Sequence, residues 1–232
     1  MSQDGDGAKY QLRTENNELK SSSRGFTGLG TATYENGDIF EGDFLDGRRD
    51  GRGTYRYMKS GNKYQGDWSQ NNKHGIGKMS YNGVGEYHGY WEHNRRHGEG
   101  VFTYKNGDVY SGWWKYGEKS GFGSYIFKET GMKMVGDWSN GKLSIGKWIY
   151  PNGLYFEGGF ENNKPKGEGT WYFKNGNTLK GTFEQMDKPV GDDDDAAGGD
   201  DDEAPKEKPK DLIWNTTSNI AASAHQVNSV EQ

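Results

Sequence analysis

Large apolar side chains recur along this chain in short bursts with a stride of two. Five bursts read aromatic-x-Gly-x-aromatic: Phe40 to Phe44, Tyr64 to Trp68, Tyr87 to Trp91, Tyr110 to Trp114 and Phe156 to Phe160. Positions one, three and five share a face only on an extended backbone, where side chains alternate; a helix would scatter them. Each burst therefore predicts a strand whose central glycine leaves bare backbone for a ring from a neighbouring strand. A second burst follows each first one, Gly-x-Gly-x-x-x-aromatic. It closes on Tyr34, Tyr57, Tyr81, Tyr104, Phe127, Tyr150 and Phe173, often with a large residue two places earlier (Tyr55, Phe102, Tyr125, Trp148, Trp171). That is again period two and predicts a second strand.

The two bursts form one unit that repeats. Unit starts fall at Phe40, Tyr64, Tyr87, Tyr110, Met134, Phe156 and Leu179, in steps of 24, 23, 23, 24, 22 and 23 residues. A fixed period of this size marks a stacked repeat. Asn36-Gly37, Asn106-Gly107, Asn152-Gly153 and Asn175-Gly176 separate units and predict tight hairpin turns with positive φ at their central residues. The connection inside each unit reads as longer and basic (GRRDGRG, NNKHGIG, NRRHGEG). The expected fold is all-β: a meander of about 14 short antiparallel strands forming an elongated, twisted single-layer sheet. One face is an aromatic-lined groove, partly exposed because no helix is left to cover it. The copy from Met134 to Tyr155 is degenerate, with Ser144 where a glycine belongs; a bend or docking point and simple drift both account for it.

Composition sets the outer segments apart. Residues 1–27 are polar and read as a flexible lead-in, 28–185 as the array, 186–210 as an acidic disordered linker, and 211–232 as a tail. The net charge of −5 divides into −2 over residues 1–39, +5 over 40–185 and −8 over 186–232. The 38 glycines and a 30% hydrophobic content argue for a thin core of rings rather than a thick aliphatic one. There is no cysteine, which suits a reducing compartment. No signal peptide and no run of apolar residues long enough to span a membrane are read from the sequence.

The units resemble MORN repeats (membrane occupation and recognition nexus), with Tyr-x-Gly-x-Trp, a polar loop, Gly-x-Gly, then Tyr and Asn-Gly, over roughly residues 28–185. A free-standing array followed by an acidic run and a Trp-containing segment is similar to the MORN proteins of the ciliary radial spoke head. The stretch Phe127 to Gly141 (FKETGMKMVGDWSNG) adds to that similarity. The resemblance implies a non-enzymatic structural scaffold in the cytoplasm, at the axoneme of a cilium or flagellum. Its implied partners are other radial spoke head subunits and the central apparatus, with self-association also open. The alternative is a peripheral membrane adaptor that binds anionic phospholipid through the repeats.

No catalytic constellation, cofactor motif or metal site is read from the residues. His74 and His97 sit at equivalent places in successive copies, about 10 Å apart, too far to share an ion. Gly-x-Gly recurs without a helix to present its N-terminus to phosphate. Protein binding is assigned to the aromatic face: Phe44, Tyr64, Trp68, Tyr87, Trp91, Tyr110, Trp114, Trp138 and Phe160. A basic rim of Arg48, Arg49, Arg52, Lys73, Arg95, Arg96 and Lys119 is assigned with it. Solvated loop charges, an acidic protein surface and anionic lipid compete as readings of that rim; nucleic acid is excluded by its weak net charge. Leu212, Ile213 and Trp214 read either as a tail docking motif or as an incidental apolar triplet.

Overall fold

The computed structural model describes residues 9–187 and 210–217, and among them there are strands and turns but no helix. All strand pairings are antiparallel, as the period-two bursts require. The chain divides into two compact units between Gly141 and Lys142, inside the degenerate copy Met134 to Tyr155.

The first unit holds β1 (Gln11–Thr14), β2 (Leu19–Lys20), β3 (Gly28–Thr33), β4 (Ile39–Leu45), β5 (Arg48–Tyr57) and β6 (Asn62–Ser69). It continues through β7 (Asn72–Tyr81), β8 (Gly85–Glu92), β9 (Arg95–Tyr104), β10 (Val109–Lys115), β11 (Glu118–Ile126) and β12 (Lys133–Ser139). From β3 onward each strand pairs with the next in sequence, and β1 pairs with both β2 and β3. The second unit holds β13 (Lys142–Ile149), β14 (Tyr155–Glu161), β15 (Lys164–Tyr172), β16 (Thr178–Asp187) and β17 (Lys210–Thr216), again paired in chain order.

Two segments differ from expectation. The lead-in contains β1 and β2, because Leu12 alternates with polar neighbours and is fully buried against the first repeat strands. Part of the tail is a strand as well: residues 211–216 extend the ladder beside β16. Most of the acidic linker, and residues 218–232, lie outside the described residues.

The turns also exchange roles. At Asn36-Gly37 only the glycine has positive φ (84°), and Gly37 N–H donates to the Tyr34 carbonyl at 2.9 Å while Tyr34 N–H donates to that of Asp38 at 2.9 Å. This is the three-residue loop, a type I turn closed by a left-handed glycine, not a mirror-image tight turn. The mirror-image turns occur inside the units instead. Asp46-Gly47, Gln70-Asn71, His93-Asn94 and Tyr116-Gly117 have two consecutive residues in the left-handed region. The supposed basic loop is thus two residues long, and the basic residues belong to the strand that follows.

Candidate functional site

The first-burst rings are the core. Tyr64, Tyr87, Tyr110, Phe40 and Phe156 are fully buried, and Trp68, Trp91, Trp114 and Trp138 are 3–5% exposed. Glycine makes this possible. A Cβ at Gly77 or Gly100 would lie 2.3 Å from the Tyr64 or Tyr87 hydroxyl, because the ring lies flat over bare backbone of the next strand. Trp68, Trp91 and Trp114 each meet their own unit's ring and that of the unit before, edge to face, and Trp138, whose unit opens on Met134, meets Tyr110 of the unit before. Trp91 is 5.2 Å from Tyr87 and 5.3 Å from Tyr64. Its indole N–H donates to the Gly77 carbonyl at 3.1 Å, and Trp114 does the same to Gly100 at 3.1 Å. A double chain of rings and glycines therefore stitches successive copies together.

This corrects the expectation of a partly exposed aromatic groove. All nine rings assigned to partner binding, from Phe44 to Phe160, are buried at 8% exposure or less. They are consumed in holding the sheet, and what a partner can touch is the layer above them.

That layer is made by the second residue of each returning strand. Arg49, Lys73, Arg96 and Lys119 point to the ring face and lie over the tryptophan of the next copy. The distances are 4.5 Å to Trp68, 4.8 Å to Trp91, 4.3 Å to Trp114 and 4.7 Å to Trp138. Each is a cation–π contact, and the closing rings flank them; Lys119 is also 5.0 Å from Tyr125. None of the four makes an ion pair with an acid among the described residues. Burial depresses the ammonium pKa of Lys73 and of Lys119 to about 8, with the charge of a neighbouring arginine adding to it. Arg96 is tied further by a 2.6 Å hydrogen bond to the Gly117 carbonyl.

The assigned basic rim therefore splits. Arg49, Lys73, Arg96 and Lys119 form the ladder, Arg48 and Arg95 are exposed at the turns, and Arg52 lies on the reverse face near Asp67, 3.6 Å away. Strand alternation separates them, which a loop reading could not show. Around Arg96 and Lys119 the layer opens into a trough of about 450 Å³, walled by Tyr81, Val84, Tyr104 and Glu118 over Phe102 and Trp114.

In the second unit the ladder positions carry Leu143 and Pro165, both buried, and the charge is gone. Trp214 of β17 lies 4.8 Å from Phe183 and 6.0 Å from Phe156, and a Cβ on Gly181 would meet it at 2.4 Å. It covers glycine as the repeat rings do elsewhere. Leu212 is half-buried on β17, and Ile213, 39% exposed, points to the other face. The residues missed from sequence are the buried aspartates. Asp38 accepts from the Tyr55 hydroxyl at 3.0 Å and from Met58 N–H at 2.9 Å, and Asp108 repeats the arrangement with Tyr125 and Lys128. Burial works against the Asp108 carboxylate, but those donors and Asn106 together hold its pKa below the usual value. The Asn-Gly-Asp triplet was the available signal.

With this geometry in place, a profile of the MORN repeat matches residues 40–61, 64–83, 87–109, 110–130, 135–155 and 156–178. The chain belongs to the MORN-repeat family. No curated protein matches the chain. Among solved structures, the TCP domain of SAS-4 (dCPAP) from Drosophila melanogaster, in complex with a proline-rich motif of Ana2 (dSTIL), is similar at 16% identity and a TM-score of 0.43. The match covers 66% of this chain and 83% of that one. MORN repeats suggest a protein-interaction or membrane-binding role, and no enzyme family is indicated. No helix among the described residues is long and apolar enough to cross a membrane.

Proposed function

We propose that this MORN-repeat chain is a non-enzymatic structural subunit of the radial spoke head, placed at the axoneme and supporting ciliary motility through protein contacts. The order of its segments supports the assignment: a repeat array, an aspartate-rich run, then a Trp-containing segment. The observation that carries the interaction role is the row of four cations laid over tryptophans without acidic partners among the described residues. Such a row attracts an acidic stretch of another protein, because incoming carboxylates replace water over cations that form no ion pair among the described residues.

The cations are held inward over rings rather than raised on flexible arms, which favours a shaped protein partner over a lipid headgroup layer. The test is purification of the tagged protein from ciliated cells, with mass spectrometry of what accompanies it. Recovery of spoke-head subunits, lost with Arg96→Glu plus Lys119→Glu, is the expected result. Recovery of membrane-trafficking proteins without axonemal ones, together with retention on phosphoinositide vesicles at physiological salt, would overturn it. Alanine at Trp91 and Trp114 is unsuitable here, since those rings are core.

A further inference from the structure

The reverse face of the first unit carries a departure that the repeat does not require. In FEGDF and YQGDW the residue after the central glycine is aspartate, and it has a structural task. Asp43 accepts from Arg52 N–H at 2.8 Å and Asp67 from Ile76 N–H at 2.9 Å. Each carboxylate thereby satisfies the backbone where the following strand bulges. In the next two copies the same place holds Tyr90 and Trp113. Both lie beside the bulge glycines, with a Cβ on Gly98 3.3 Å from Tyr90 Cβ and one on Gly121 3.5 Å from Trp113 Cβ. Neither can accept a hydrogen bond as aspartate does, and each is 50% exposed.

These rings are not isolated. Ile76 (49% exposed) pairs in register with Tyr90, Glu99 pairs with Trp113, and Phe122 (62% exposed) follows on β11. Across β7 to β11 the row reads Ile76, Tyr90, Glu99, Trp113, Phe122. The paired glycines Gly89–Gly100 and Gly112–Gly123 run alongside, their bare backbone forming part of an open trough of about 530 Å³. Their other side is filled by the buried Tyr87 and Tyr110 rings, and the trough stays open among the described residues.

Glu99 decides what fits. It is exposed, stands between the strands that carry the two half-exposed rings, and has no hydrogen bond or ion pair among the described residues. A second copy docked by the same face would bring carboxylate towards carboxylate, and an anionic membrane would repel it. A guanidinium or ammonium group can pair with the carboxylate and stack on the rings at either side. We infer that this row is a docking site for an extended protein segment of the pattern apolar-x-basic-x-apolar, which turns all three side chains to one face, independent of the cation ladder on the opposite face. Five strands span about 19 Å, the length of roughly six extended residues.

The test uses the full chain and two blocked synthetic peptides, Ser-Leu-Ser-Arg-Ser-Leu-Ser and its glutamate counterpart, titrated calorimetrically. The arginine peptide should bind and the glutamate peptide should not. Glu99→Gln, an exposed and isosteric change, should weaken binding about tenfold, the scale of one charge-assisted contact. Tyr90→Asn plus Trp113→Asn supplies the side-chain oxygen with which Asp43 and Asp67 satisfy the bulge and adds no charge, so it should keep the melting temperature while abolishing binding. Absence of arginine-peptide binding, equal binding of the glutamate peptide, or indifference to these substitutions would overturn the site. A concentration-dependent dimer lost in the double asparagine variant would overturn the occupant in favour of a second copy.

Discussion

At the scale of single residues, the decisive contact is a ring lying on a glycine. Gly100 shows it most simply: added Cβ atoms meet the Tyr87 hydroxyl at 2.3 Å and its Cε2 at 2.6 Å. Tyr87 cannot withdraw, because its hydroxyl donates to the Tyr90 carbonyl at 2.9 Å and its face supports both Trp91 and Trp114. Gly100→Ala therefore overpacks a rigid site and should destabilise the first unit by about 1–3 kcal/mol, read as a lowered denaturation midpoint with an unchanged slope. Gly117→Ala makes the useful contrast. Nothing lies within 4 Å of its Cβ, and its φ of +96° is the only obstacle, so that variant tests backbone strain alone. Equal stability of Gly100→Ala and wild type would mean that the rings do not lie on glycine in solution.

At the scale of elements, the unit is a hairpin whose tight turn is locked to the preceding one. His93 and Asn94 hold the turn with φ of 45° and 67°. Asn94 also reaches back one copy: its Oδ1 accepts from Lys73 N–H at 2.9 Å, and its own N–H donates to the Lys73 carbonyl at 3.1 Å. Asn94→Gly keeps the left-handed conformation and loses only the side-chain bonds, costing about 1 kcal/mol. Asn94→Ala adds about 1–2 kcal/mol of left-handed strain, so alanine should melt lower than glycine in the same thermal series; the reverse order would remove the turn from the account. Strand existence, pairing order and repeat period were legible in the sequence, because period-two rings and glycine spacing leave one regular structure that satisfies them. Turn type was not. Asn-Gly signals a turn, but whether one or two residues enter the left-handed region depends on the loop length the flanking ladder imposes. Misplacing the tight turn in turn moved the basic residues from strand to loop, and the alternation that sends Arg49 inward and Arg48 outward went unseen. The aromatic face was legible as a face; its burial was not, since single-strand patterning cannot show that rings of successive copies close over one another.

At the scale of the whole molecule, charge and closure are distributed unequally between the units. The ladder cations belong to the first, and their burial gives acidic-partner binding a distinctive pH dependence. With Lys73 and Lys119 held near pH 8, both are charged at pH 7 and lose that charge as the pH rises towards 9. Affinity for an acidic partner should therefore fall between pH 7 and 9, a window in which ordinary surface lysines near 10.5 do not titrate. Lys73→Arg plus Lys119→Arg should flatten the profile, and a flat profile in the wild type would show that these amines take no part. The second unit has no such ladder and depends on its last strand. Phe183 is 7% exposed with Trp214 paired opposite it, and Trp171 is 6.4 Å from the same indole. Without Trp214, the ring over Gly181 is gone and only the backbone ladder still holds β17 to β16. An edge strand that loses its ring contacts protects its neighbour less well. Trp214→Ala in the full chain should cost up to about 3 kcal/mol, the lower end for deleting a large ring because this one is only half-buried. The loss belongs to β14, β15 and β16, so hydrogen exchange should quicken there while β6 to β10 keep their protection. Unaltered exchange in β16 would mean that β17 rests on the sheet without contributing to it, and would return the Leu212-Ile213-Trp214 triplet to the candidates for capture by another protein.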